Sequence, residues 1–140
     1  MVLGTAIQAT GGAMNLEKTI FAFVIVLAMT INFGFFLGDI DNPVHHNVYE
    51  LFAAIVVSLI ATVMKLGERT QIGALLLATS LVADVQLIIA AIVWAMAVHV
   101  MAIGLTPHVM AAIVSLSGGA LLANIVSVVL LVAETIMGRR

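Results

Sequence analysis

Four stretches of the chain, roughly 17–37, 47–66, 70–100 and 108–137, are almost unbroken runs of apolar residues separated by short polar breaks. A helix that crosses a hydrocarbon core of ~30 Å needs about 20 mostly apolar residues, and every one of these stretches meets that length. The first two are near the minimum, whereas the third and fourth are long enough to tilt or to project past the lipid at one end. The breaks are chemically clear: Gly38-Asp39-Ile40-Asp41-Asn42-Pro43, then Gly67-Glu68, then Gly104-Leu105-Thr106-Pro107. The pattern predicts an all-α polytopic membrane protein, four transmembrane helices in two hairpins forming a single domain over residues 14–140. Residues 1–13 are small, uncharged and mildly apolar, without the basic start of a secretory signal. They read as an N-terminal extension or as an ordered peptide lying on the membrane.

Charge gives the topology. The five basic residues are Lys18, Lys65, Arg69, Arg139 and Arg140. With four spans all five fall on one face, and three or five spans would divide them. Basic residues stay in the cytoplasm during insertion, so both termini and the 65–69 turn are expected inside. The first and third turns are then outside, together with His45, His46, His99 and His108.

Composition agrees with the pattern and closes several doors. Hydrophobic residues make up 64% of the 140 and charged residues only 9%, against about 25% charged in a soluble domain. A net charge of −2 offers no basic field for nucleic acid. The absence of cysteine removes disulfides, thiolate catalysis and iron–sulfur ligation. With no nucleophile–base arrangement, phosphate loop or nucleotide motif in view, no enzyme activity and no cofactor are expected.

The polar residues inside the spans carry what chemistry there is. Counted from the basic residue of each helix, Asn32, Glu50, Asp84 and Asn124 all lie about 21–22 Å above the inner boundary at ~1.5 Å per residue. This predicts one polar layer with a side chain from every helix, Thr30 and Ser80 lying a turn or less below. A carboxylate such as Asp84 near mid-bilayer costs a few kcal/mol and normally faces a protein interior or a water-filled cavity. It is either a cation or proton site or a hydrogen-bonding clamp, with Asn124 or Asn32 as partner. Gln86 points some 200° away around the helix, towards a different neighbour or another protomer.

The remaining features have two readings each. Glu50 is either the reciprocal arm of a capping box with Asn47 or a mouth residue. Asp39, Asp41, Asn42 and Pro43 begin like a calcium loop but lack its glycine and distal glutamate, and such residues also form ordinary turns. The outer mouth would comprise Asp39, Asp41, His45 and His46. The histidines are expected to be solvated interfacial residues, with metal, pH-sensing and haem roles as alternatives. Ala111, Ser115, Gly119, Ala123 and Ser127 form a small-residue stripe that lets helix backbones approach closely, without saying which helix approaches. Trp94 and Tyr49 suit interfacial anchors, and the eight methionines serve as apolar filler.

Met14 to Phe21, Asn32-Phe33-Gly34-Phe35, the run Gly38 to Phe52 and Ala78 to Leu87 resemble a family of small proteobacterial inner-membrane proteins of unknown function. The likeness covers about residues 14–100. It implies a bacterial inner membrane and brings no ligand or functional residue with it. The function expected from the residues themselves is a small oligomeric cation channel or channel-like transporter, with an acidic outer mouth and the carboxylates Glu50 and Asp84 along the path. The alternative is a structural or regulatory subunit of a larger transporter or respiratory complex. Expected partners are therefore the lipid bilayer, further copies of the chain, a cation or a larger membrane complex, and not nucleic acid.

Overall fold

The computed structural model describes residues 16–138; the expected extension at 1–13 and the basic pair at 139–140 lie outside them. Four helices follow in chain order: α1 Leu16–Phe36, α2 Val48–Lys65, α3 Gln71–Ala95 and α4 Pro107–Gly138. A π-helical segment, Met96–Val100, continues α3. All four helices are long and apolar enough to cross a membrane, and the described residues contain no strand. The sequence boundaries therefore stand to within a residue or two.

Local chemistry accounts for the ends. The Asn47 side chain caps α2 by accepting from the Tyr49 amide at 2.8 Å, and Thr70 caps α3 through the Gly73 amide at 2.9 Å. Thr106 accepts from the Val109 amide ahead of Pro107, whose missing N–H costs nothing in the first turn of α4. Helix α2 stops where Gly67 takes φ 82°, a left-handed conformation that a side chain disfavours. Asp39–Pro43 is a turn: Asn42 donates its amide to the Asp39 carbonyl at 3.2 Å, and its side chain accepts from the Val44 amide at 3.0 Å. A short 3₁₀ segment, Pro43–His45, leads on to α2.

The helices alternate in direction, and each packs against its neighbours around a ring: α1 on α2, α2 on α3, α3 on α4 and α4 back on α1. One end of the bundle carries Lys65 and Arg69, the basic end, and the other carries the four histidines. In lipid the helices gain nothing from leaving water, so close packing and interhelical hydrogen bonds must hold them. Small residues on the inward seams serve the first need, among them Ala28, Ala54, Ala61, Ala83, Ala90 and Ala120, each at most 1% exposed.

The interior is divided. Towards the basic end lies a cluster of Phe21, Ile25, Ala61, Leu76 and Leu131. Towards the histidine end lies a larger one built on Phe35, Leu51, Leu87, Met110 and Ile113. Between them the inward seams turn polar: Ser58 on α2, Ser80 and Asp84 on α3, Asn124 and Ser127 on α4, all buried. On α1 the buried residues between Phe21 and Asn32 are apolar, Ile25 and Ala28.

A candidate polar site in the bundle core

Asp84 is 4% exposed and is held by α2. Ser58 donates its hydroxyl to Asp84 Oδ1 at 2.6 Å, and Thr62 Oγ1 stands 2.5 Å from Asp84 Oδ2. Thr62 Oγ1 also reaches the Ser58 carbonyl at 3.0 Å. The spacing 58, 62 puts both hydroxyls on one face of α2, one turn apart, so a single carboxyl on α3 meets both.

The adjoining polar groups are not matched in this way. Ser80 Oγ and both side-chain atoms of Asn124 are buried without a hydrogen-bond partner, as is Gln86 Oε1. Ser127, three residues from Asn124, is tied to Thr79 at 2.5 Å, and that contact fixes the register of α3 on α4. Ser80 and Asn124 therefore sit on facing seams, within about a turn of each other.

The single layer expected from counting does not form. Asn32 pairs with α4 instead: Ser117 donates to Asn32 Oδ1 at 2.6 Å, and Asn32 Nδ2 donates to the Ser117 carbonyl at 3.2 Å. Ser117 lies seven residues from Asn124, about 10 Å nearer the histidine end. Glu50 lies eight residues from Ser58, about 12 Å in the same direction, and rests against α1 where Gly34 makes room. A Cβ at Gly34 would stand 2.7 Å from Glu50 Oε2. For Glu50 the error has a physical cause. Lys65 marked the inner boundary in the count, but it is 7% exposed, with its ammonium 4.3 Å from the Phe21 ring. It lies inside the bundle rather than at the boundary. Thr30, placed just below the layer, instead bonds its own helix at the Leu27 carbonyl and is exposed.

The other expectations resolve as follows. Asn47 caps α2, while the Glu50 carboxylate goes to Gly34 in place of the reciprocal arm of a capping box. His46 is not solvated: it is 3% exposed, with Nδ1 2.6 Å from the Phe35 carbonyl and Nε2 2.7 Å from the Asp39 carbonyl. The last carbonyls of a helix lack intrahelical donors, and this ring supplies one to α1. His45 Nδ1 accepts from the Asp39 amide at 2.8 Å, so its 3.9 Å approach to the Asp39 carboxylate brings no proton to that side. His99 and His108 are exposed, as are Asp39 and Asp41. Among the described residues no group of three or more His, Asp or Glu side chains is gathered to hold a metal.

The small-residue stripe finds its partner within the chain. Gly119 faces the Gln86 side chain of α3, whose Oε1 would stand 2.2 Å from a Cβ added there. Ala123 and Ser127 are buried, Ala111 is half-buried and Ser115 is exposed. Gln86 is thus turned to α4 of its own chain. Trp94 packs on Phe35 with ring centroids 6.3 Å apart, inward of the interfacial anchor expected of it, whereas Tyr49 is 79% exposed. Sequence reasoning missed Ser58, Thr62 and Ser117. Their signal was the heptad-like placement of hydroxyls among alanines on the buried seams.

Fold and site together define an up-and-down four-helix membrane bundle with a buried carboxyl at its centre. The chain belongs to a family of unknown function, DUF6394, whose model matches residues 45–135. The match takes in most of α4, which the resemblance over residues 14–100 left aside, and omits α1. No curated protein and no solved structure matches the chain.

Proposed function

We propose that the protein handles a small cation, as a channel-like transporter whose binding step takes place at Asp84 in the core of the bundle. The observation that carries this reading is the pairing of a buried carboxyl with buried polar groups that have no partner, Ser80 and Asn124. A clamp that only ties helices together is expected to satisfy its polar atoms, because each orphaned buried group costs about 1–3 kcal/mol. Groups left free beside a carboxyl are suited to exchanging partners with an ion and its water. Intramembrane carboxyls commonly serve such pathways.

The remaining residues fit a path along the bundle. Asp39 and Asp41, exposed at the histidine end, raise the local concentration of cations there. Glu50, the Asn32–Ser117 pair, Asp84 and Thr62 then follow in order towards the basic end. Since Asp84 faces the core of its own bundle, each copy carries its own site, and a ring of carboxyls about an axis between copies is not needed for binding. With the basic end inside, the mouth opens outside the cell, in a bacterial inner membrane as the resemblance implies. The reading assigns no chemical reaction to the protein.

A second reading, a structural or regulatory subunit of a larger membrane complex, is favoured by the reciprocal Asn32–Ser117 pair, which is fully matched and ties α1 to α4. Flux into liposomes separates the two. Wild type should carry at least one of H⁺, Na⁺, K⁺ or Ca²⁺ down its gradient, and Asp84→Asn should lose most of that flux while keeping its size-exclusion profile. Absence of flux in the wild type for all four ions would remove the transport reading and leave the structural one.

A further inference from the structure

Within that transport reading, we infer that the cation taken by Asp84 is a proton. The argument is an inventory of protons at three contacts. Ser58 Oγ to Asp84 Oδ1, Thr62 Oγ1 to Asp84 Oδ2 and Thr62 Oγ1 to the Ser58 carbonyl are all at hydrogen-bond distance. A hydroxyl carries one proton. Ser58 spends its proton on Asp84, and the Ser58 carbonyl has none to give. Thr62 has one proton for two acceptors, so an ionised Asp84 leaves that proton divided between two contacts. A proton on Asp84 Oδ2 completes the set. Asp84 then donates to Thr62, Thr62 donates to the Ser58 carbonyl, and Ser58 donates back to Asp84 Oδ1. Binding is the addition of H⁺ to the carboxylate, and release returns the carboxylate with two protons shared over three contacts.

The donor set suits a proton better than a metal cation. The hydroxyl and carboxyl oxygens lie 2.5–2.6 Å apart, too close to admit an ion between them, and among the described residues no second carboxylate joins Asp84. The charged groups nearby are few. On α2, Lys65 follows Thr62 by three residues on the same face, with its ammonium over Phe21, and Glu50 lies two turns beyond Ser58. The buried residues of α1 between Phe21 and Asn32 are Ile25 and Ala28, and α4 presents Asn124 and Ser127; neither helix brings a titratable group here. The Lys65 ammonium, one turn beyond Thr62, opposes a metal cation at the site. The unpartnered Ser80 hydroxyl, one turn from Asp84 towards the basic end, and the Asn124 amide on the facing seam can accept and donate a proton on that same side.

Infrared spectroscopy of the full chain in lipid bilayers at neutral pH reads the proton without relying on transport. The wild type should show the carbonyl stretch of a protonated carboxylic acid, displaced in heavy water and lost in Asp84→Asn. Thr62→Val, which keeps the fold's shape but removes the acceptor, should shift that band. Identical wild-type and Asp84→Asn spectra in this region would overturn the inference, as would a band that Thr62→Val leaves in place. Loss of the band on adding sodium or calcium would also overturn it, while keeping Asp84 as a cation site. A band that behaves as expected alongside a wild type without flux would leave the proton on Asp84 and remove only the transport reading.

Discussion

The α2–α3 contact through Thr62 and Asp84 makes a quantitative demand. Thr62→Val replaces the hydroxyl by a methyl of nearly the same size, so the seam stays filled and only hydrogen bonds are lost. Interhelical hydrogen bonds in membrane proteins average about 0.6 kcal/mol, with a maximum near 1.7. The burial of both groups, 6% and 4% exposed, places this contact in the upper half of that range. A double-mutant cycle of Thr62→Val with Asp84→Ala should therefore give a coupling of about 1–1.7 kcal/mol. The bond from Thr62 to the Ser58 carbonyl is lost on both sides of the cycle and cancels. Thr62→Val with Ser117→Ala is the control, since Ser117 is bonded to Asn32 and shares no partner with Thr62. That pair should add to within about 0.3–0.5 kcal/mol. Reversible unfolding in mixed lipid–detergent micelles measures all the free energies. A Thr62–Asp84 coupling no larger than the control would refute the contact as a source of stability, and with it the proton relay built on it.

Two further outcomes follow from the packing and the charge pattern. Gly119→Leu should lower the unfolding free energy by about 1–3 kcal/mol, as overpacking does, because the new side chain collides with Gln86. Gln86→Ala should restore much of the loss, whereas truncating Leu122, 65% exposed, should change little; an unaltered Gly119→Leu in thermal unfolding contradicts the α3–α4 packing. A single cysteine introduced as Asp41→Cys should react with an impermeant thiol reagent on intact cells, and one introduced as Arg140→Cys should not, with the reverse result inverting the topology.

The apolar runs fixed four helices and their ends in advance, because in lipid every backbone group must be satisfied within its own segment. Length alone then decides what can span. The caps at Asn47 and Thr70 and the stop at Gly67 were equally local. Asp84 was legible as the residue to watch, since a lone carboxyl in such a run has no cheap explanation.

Tertiary structure decided which groups meet. A count along each helix assumes that its basic residue marks the boundary, and on α2 Lys65 breaks the assumption by folding its ammonium over Phe21 inside the bundle. The stagger and tilt of neighbouring helices then separate Asn32 and Glu50 from Asp84 and bring it Ser58 and Thr62 instead. Hydroxyls are inexpensive in a membrane helix because they can bond their own backbone, so their presence in the sequence says little until a partner helix is placed beside them. His46 makes the same point at the other end. Its position in a polar turn suggested a solvated ring, but the carbonyls of Phe35 and Asp39 converge on it only once α1 has ended and the chain has turned back. Sequence set the segments and their chemistry; the pairing of polar groups across helices came from register, which no single segment contains.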